Sequence, residues 1–117
     1  MNPRAVPGCT FRRAQRLADA ADFARVLRDR PIAASAHFQV FRAPAQRGAR
    51  LGVIVGKRFV ARAVDRNSVK RVVREVFRSR RTQLPPTDYV VRVKTRIRLV
   101  DTTMLRAEIE NLLGVES

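Results

Sequence analysis

One segment, residues 65–81 (DRNSVKRVVREVFRSRR), concentrates the side chains of this sequence that could bind a charged partner. A helix turns by about 100° per residue, and that step divides the segment into two sides. The apolar side holds Val69, Val72, Val73, Val76 and Phe77. The opposite side holds Asn67, Lys70, Arg71, Arg74, Arg78 and Arg81. The periodicity therefore predicts a helix with one side in a core and the other presented to a polyanion.

The charges on the polar side have a spacing that an isolated helix does not favour. Lys70, Arg74 and Arg78 follow one another at i,i+4, where like charges destabilise a helix and opposite charges stabilise it. Glu75 lies away from them on the helical projection. A solvated charged face is the alternative interpretation, but such faces usually alternate in sign. We interpret the polar side as a binding surface whose partner neutralises the repulsion.

The overall charge indicates the same kind of partner. The chain has 117 residues, enough for one domain, and a formal net charge of +15. Residues 101–117 carry one basic and four acidic side chains, so the first 100 residues carry 24 basic and six acidic ones, a surplus of +18. Nucleic-acid phosphates are the commonest partner of such a surplus, because binding them releases condensed counterions.

The sequence offers little material for catalysis by the protein itself. Cys9 is the only cysteine and His37 the only histidine, which excludes an internal disulfide and disfavours a zinc site or a Cys–His nucleophile pair. Metal-assisted hydrolysis needs clustered carboxylates or histidines. The acidic residues of the first hundred positions are scattered instead: Asp19, Asp22, Asp29, Asp65, Glu75 and Asp88. We therefore expect neither catalytic residues nor a metal site on the protein.

Membrane and secretory signals are also absent from the sequence. No stretch approaches the roughly 20 apolar residues of a spanning helix. Residues 1–17 contain prolines and arginines but no apolar segment typical of a signal peptide. We expect a cytoplasmic protein with no membrane partner.

The remaining elements follow from hydrophobic periodicity and from breakers. Predicted helices cover residues 20–29 behind an Asp19 N-cap, 65–81, and 103–113; predicted strands cover 37–42, 50–57 and 88–94. Residues 50–57 are apolar enough to predict a central strand. We divide the chain into a basic, flexible N-terminal arm (1–16), a single domain (17–114) and a short tail (115–117).

This order of elements, α-β-β-(β)-α-β-α, predicts an α+β or α/β sandwich. We expect a single small mixed sheet of about four strands packed with about three helices. The strand–helix–strand step from residue 50 to 94 most simply connects two parallel strands. Such crossovers are right-handed by default.

With these segments in place, the chain resembles the protein subunit of bacterial ribonuclease P. The similarity is densest in residues 50–58 (RLGVIVGKR) and 63–78 (AVDRNSVKRVVREVFR), which resemble that family's strand and its Arg-Asn-Arg helix. Residues 84–91 (LPPTDYVV) continue the resemblance, and residues 21–27 (ADFARVL) are similar to the family's first helix.

The resemblance implies a function and a fold detail. In that family the holoenzyme is an endonuclease that removes the 5′ leader from precursor tRNA. A catalytic RNA subunit holds the Mg²⁺ ions and performs the hydrolysis, while the protein binds this RNA and the leader and favours precursor over product. The family's strand–helix–strand crossover is left-handed, contrary to the default.

The resemblance also assigns residues within a single RNA-binding domain. The RNA-binding positions that match or extend the family's motif are Lys57, Arg58, Arg66, Asn67, Ser68, Lys70, Arg71, Arg74 and Arg78. Ser68 replaces the motif's second arginine, on a flank of the helix beside Glu75, so we expect only modest weakening of the RNA contact. The family's leader-binding cleft matches Phe23, Leu27 and Phe41, where aromatic rings can stack on unpaired bases. We assign Phe38 and Phe77 to the core.

Other functions stay open at this point. A general structured-RNA-binding or ribosomal-type protein, without a role in tRNA processing, would use the same basic helix. A helix-turn-helix DNA-binding module would need a second helix close before residue 65. A predicted strand precedes that position instead, so we do not expect DNA as a partner.

Overall fold

The computed structural model describes residues 20–44, 49–80, 84 and 87–114. Within these residues, three helices and four strands follow one another in the order α1 (Ala20–Val26), β1 (Ala33–Ala34), β2 (Phe38–Pro44), β3 (Arg50–Ile54), α2 (Ala63–Arg80), β4 (Thr87–Val93) and α3 (Thr102–Gly114). The predicted arm, the Asp19 cap, Arg81 and the tail lie outside the described residues. The element order and the mixed α+β class are confirmed.

One four-stranded sheet organises the molecule, with strand order β1-β2-β4-β3. β2 pairs antiparallel with both β1 and β4, whereas β3 pairs parallel with β4. The parallel pairing confirms the predicted β3–α2–β4 crossover, and its hand stays a prediction.

The predicted central position of β3 is wrong, because β3 lies at an edge of the described sheet and β2 and β4 are the interior strands. It also ends at Ile54 rather than at residue 57, since the chain turns where Val60 donates its backbone N–H to the Gly56 carbonyl. Leu51 belongs to the core on one face, and Ile54 packs against the cluster on the other. A strand covered on both faces is apolar throughout wherever it lies in a sheet, so its composition could not distinguish an edge from a centre.

The main core lies between the sheet and the two long helices. Phe38, Val40, Tyr89 and Val91 point from the sheet toward α2 and α3, and Phe77 meets the Tyr89 ring edge-on with centroids 5.9 Å apart. The predicted core assignments of Phe38 and Phe77 are confirmed, since both side chains are fully buried. Helix α2 is therefore fixed against the sheet by its apolar side.

Helix α3 begins one residue before its predicted start and is tied to the start of β2. Asp101 caps it, its Oδ1 accepting hydrogen bonds from the backbone N–H groups of Thr103 (3.1 Å) and Met104 (3.2 Å). Further along α3, Glu108 accepts hydrogen bonds from the His37 backbone N–H (2.8 Å) and from the Ser35 hydroxyl, and lies 2.9 Å from His37 Nδ1. These contacts hold α3 across the end of the sheet.

A smaller cluster covers the opposite face of the sheet. Val26 is fully buried against Phe41, Ala43 and Val90. Helix α1 is shorter than predicted, ending at Val26 and continuing as a turn over residues 27–28. Phe23 and Leu27 pack on the same cluster as Val26, so these three residues form the apolar side of α1 and of the turn after it.

Candidate nucleic-acid interface

Helix α2 has the two sides that its periodicity predicts. All five residues of the apolar side are buried: Val69, Val72, Val73, Val76 and Phe77. On the other side Asn67, Arg71 and Arg78 are exposed, and Lys70 and Arg74 are half-buried. We call this group the cationic face; it comprises Asn67, Lys70, Arg71, Arg74 and Arg78. Burial of the apolar side against the sheet and α3 leaves the cationic face no orientation except outward.

Acidic neighbours do not neutralise the exposed cations of this face. Glu75 pairs with Arg106 of α3, with Oε1 and Nη2 2.6 Å apart. Asp65 lies 4.0 Å from Arg62 at the start of the helix. Within the described ranges no ion pair involves Arg71 or Arg78. Both carboxylates of α2 thus pair with arginines outside the cationic face, and its exposed Arg71 and Arg78 keep their positive charge for a partner.

Arg66 has a structural contact that its place in the motif does not indicate. Its Nη1 donates hydrogen bonds to the backbone carbonyls of Val60 (3.1 Å) and Ala61 (2.7 Å). These bonds hold the loop between β3 and α2 against the first turn of the helix. Lys57 and Arg58 lie exposed on this loop, beyond the end of β3. Arg66 therefore fixes the loop that carries the predicted basic pair.

Ser68 lies on the flank that the helical projection predicts. Its hydroxyl donates back to the Val64 carbonyl at 3.1 Å, within the helix. A groove of about 250 Å³ runs beside it between α2 and α3, lined by Ser68, Arg71, Val72, Glu75, Thr102 and Arg106. Glu75 thus shares the groove with Ser68. Ser68, which replaces the second arginine of the family motif, therefore lies at the edge of the cationic face.

The predicted leader cleft lies on the opposite face of the sheet from α2, beside α1. Phe23 and Leu27 are half-buried there, and their contact with a leader stays a prediction. Phe41 is less accessible than Phe23 and Leu27, and its contact with a leader also stays a prediction. Its side chain is only 4% exposed, and the Arg92 guanidinium lies over its ring, 4.9 Å from the centroid. The Phe41 ring forms part of the floor of the cleft, beneath the Arg92 guanidinium.

A buried carboxylate, which our sequence analysis did not identify as part of the site, anchors α1 to the sheet. Asp88, fully buried at the start of β4, accepts hydrogen bonds from Arg50 Nε (2.9 Å) and Nη2 (2.8 Å) and from Arg25 of α1. Asp22 lies 3.3 Å from Arg25 and 3.7 Å from Arg50. Burial by itself raises the pKa of the Asp88 carboxyl, but the hydrogen bonds from Arg50 and Arg25 outweigh it and hold the pKa below its ordinary value.

The described residues contain no group of three or more His, Cys, Asp or Glu side chains that could hold a metal ion. Several carboxylates of these ranges already have partners, as Asp88, Glu75 and Glu108 illustrate. Among the helices that the structure describes, none has the length and apolar character needed to cross a bilayer.

Comparison with known proteins agrees with this arrangement. The family profile described as Ribonuclease P matches residues 11–115. A ribonuclease P protein component from Bordetella parapertussis is 41% identical over 115 residues, covering 90% of this chain and 94% of that protein. One from Burkholderia mallei is 45% identical over 86 residues, covering 74% of this chain. The matched region spans 63% of the length of that Burkholderia relative.

Solved structures show the same fold. The RNase P protein of Staphylococcus aureus superposes with a TM-score of 0.77 at 26% identity, covering 86% of this chain and 94% of that one. The Thermotoga maritima RNase P protein gives a TM-score of 0.71 at 28% identity, covering 87% and 97%. With its profile match, its relatives and its fold in agreement, this chain belongs to the ribonuclease P protein family.

Proposed function

We propose that the chain is the RNA-binding protein subunit of a ribonuclease P holoenzyme, and that it assists endonucleolytic removal of the 5′ leader from precursor tRNA in the cytoplasm. The catalytic RNA subunit and the precursor tRNA are its partners. The observation that carries the proposal is the cationic face of α2, whose exposed Arg71 and Arg78 have no described carboxylate partner. Family membership supports RNA as the polyanion.

The two faces of the sheet suit two RNA contacts. The cationic face on α2 presents side chains that suit phosphate groups of folded RNA, because guanidinium groups bind phosphates through paired N–H donors. The leader cleft beside α1 lies on the other face of the sheet, and its Phe23 and Leu27 are half-buried. The protein thus has separate surfaces for the RNA subunit and for the leader.

In this proposal the RNA subunit carries out the hydrolysis. Mg²⁺ held by that RNA supplies the electrophilic assistance that phosphodiester cleavage needs. The chain contributes binding and orientation. Its cationic face also lowers the repulsion between two polyanions, so that less Mg²⁺ is needed to bring them together.

Cleavage of precursor tRNA by the cognate RNA subunit at low Mg²⁺, with and without this chain, tests the proposal. We expect strong stimulation by the protein and no cleavage by the protein alone. The double variant Arg71→Ala/Arg78→Ala should stimulate much less than the control Arg28→Ala/Arg98→Ala, which removes two exposed arginines outside α2.

Lack of stimulation by the unmodified chain would contradict the proposal. Equal affinity for an unrelated structured RNA of the same length would also contradict it, and would favour a general RNA-binding role.

A further inference from the structure

Arg92 is a charged residue on the face of the sheet that carries the leader cleft. It lies on the central strand β4, paired with Gln39 of β2 and with Ile54 of β3. The next row of the same face holds Phe41 and Val90, both buried in the cluster beneath α1. Arg92 and its two neighbours are only half-buried. At the row of Arg92, this face of the sheet is therefore no longer fully covered by the apolar cluster and is partly accessible to solvent.

The protein holds the Arg92 guanidinium in a defined position. The group lies over the Phe41 ring, 4.9 Å from the centroid, and Nη2 donates a hydrogen bond to Gln39 Oε1 at 2.9 Å. A ring below and an amide beside it restrict the rotamers of a long, flexible side chain. The guanidinium is thus fixed before any ligand arrives.

Its charge is not compensated, in contrast to two other arginines near this face. Arg25 and Arg50 both bind the buried Asp88. No carboxylate lies within ion-pair distance of Arg92 in the described part of the chain, and only one of its five N–H donors has a described protein acceptor. Gln39 is neutral, so the site keeps a full positive charge and unused donors.

We propose that Arg92 is a leader-binding residue, which binds one nucleotide of the single-stranded 5′ leader. Its free N–H groups donate to a backbone phosphate, and the guanidinium face opposite Phe41 stacks on the adjacent base. Phe41 acts behind it as a support. Stacking and phosphate binding read no base identity, so the contact suits leaders of different sequence. This inference rests on the proposed function and extends it to a named residue and ligand.

The test measures affinity of the assembled holoenzyme for precursor tRNA with a leader of several nucleotides and for mature tRNA without one. Arg92→Met removes the charge but keeps an apolar stem over Phe41. We expect Arg92→Met to weaken binding of the precursor about tenfold and to leave the affinity for mature tRNA unchanged. The log–log salt slope for the precursor should become shallower by about 0.7, the value for one phosphate contact on a single strand. Arg92→Lys should retain the salt slope while losing part of the affinity.

Arg98→Ala serves as the control, because Arg98 is an exposed arginine in the segment between β4 and α3 and lies off this face of the sheet. We expect it to leave the ratio of the two affinities unchanged. Equal weakening of precursor and mature tRNA by Arg92→Met, or no weakening of either, would overturn the inference while leaving the proposed function intact. If the unmodified holoenzyme itself failed to prefer the precursor, both would be overturned. Circular dichroism of each variant checks the fold. If Arg92→Met unfolds, Arg92→Gln, which also removes the charge, takes its place in the salt-slope test.

Discussion

Replacing Asp88 with asparagine should loosen helix α1 from the sheet. The carboxylate is fully buried and joins Arg50 of β3 and Arg25 of α1 through charge-assisted hydrogen bonds, two of them at 2.8 and 2.9 Å. Asparagine keeps the shape but turns an NH₂ group toward guanidinium donors. Arg25 and Arg50 then lose their buried anion and, among the described carboxylates, keep only Asp22, at 3.3 and 3.7 Å.

The magnitude follows from how much of the network is buried. Removing one partner of a fully buried ion pair costs about 3–5 kcal/mol. The side chains of Arg25 and Arg50 are 35% and 30% exposed, so they can recover part of their hydration. We therefore expect Asp88→Asn to lower the free energy of unfolding by about 2–3 kcal/mol, which for a domain of this size lowers Tm by about 8–12 °C.

Urea and thermal unfolding followed by circular dichroism measure this change. Asp29→Asn is the matched control, because Asp29 is exposed in the turn after α1 and should change stability by less than about 0.5 kcal/mol. A double-mutant cycle with Arg25→Ala isolates the tie between α1 and β4. If Asp88→Asn were as stable as the Asp29→Asn control, or if the cycle gave no coupling energy, the network would not be the anchor of α1.

The same carboxylate predicts a dependence on pH. Since the pKa of Asp88 is depressed in the folded protein, its contribution to stability is fully present above the unfolded value of about 3.9. That contribution is lost as the pH falls through the folded pKa. The difference in unfolding free energy between the unmodified chain and Asp88→Asn should therefore narrow only in acid, and a difference already lost at pH 6 would contradict the assignment.

Three further substitutions test the contacts around α2 and α3. Arg66→Ala leaves two loop carbonyls without their donor, and we expect urea unfolding to show a loss of about 1–2 kcal/mol. Ser68→Arg should raise affinity for the RNA subunit by less than about tenfold, or about 1.4 kcal/mol, since Ser68 lies in the groove beside Glu75. A gain of several orders of magnitude in a binding titration would instead place Ser68 at the centre of the interface. Glu108→Gln should cost about 1–2 kcal/mol in unfolding free energy at pH 7, because Glu108 accepts hydrogen bonds from His37 and Ser35. Burial by itself raises the pKa of Glu108, but these hydrogen bonds outweigh it and hold the pKa below its ordinary value. The stability cost of Glu108→Gln should therefore persist until the pH falls below the unfolded value of about 4.3.

Local patterns in the sequence were sufficient to predict the helix that carries the cationic face. Buried Val69 and Val73 and exposed Arg71 and Arg78 follow directly from a period of 3.6, because a single helix imposes it. The alternation of β4 likewise predicts that Tyr89, Val91 and Val93 share one face of the sheet, and all three belong to the main core. Local periodicity was enough wherever one element decides the outcome.

Contacts between distant segments could not be predicted in this way. The Asp88–Arg50 and Asp88–Arg25 pairs join residues 38 and 63 positions apart. The register of β3 against β4 brings the first pair together, and the packing of α1 on the sheet brings the second. The edge position of β3 has the same origin. Arg92 did carry a signal, because it is the one charged residue within the apolar run of 89–93, on the side that Val90 shares. A charge in a central strand indicates either a buried partner or a ligand.

The salt dependence of binding to the RNA subunit tests most directly the claim that the cationic face of α2 is the RNA-binding surface. The measurement compares the log–log slope of affinity against KCl concentration for Arg71→Ala/Arg78→Ala and for the control Arg28→Ala/Arg98→Ala. All four of the replaced arginines are exposed. We predict that the first variant has a slope shallower than that of the unmodified chain by about 1.4–1.8, at 0.7–0.9 per phosphate contact, and that the control differs little. Equal slopes for the two variants would show that RNA responds to the net charge of the chain rather than to this face, and would contradict the account.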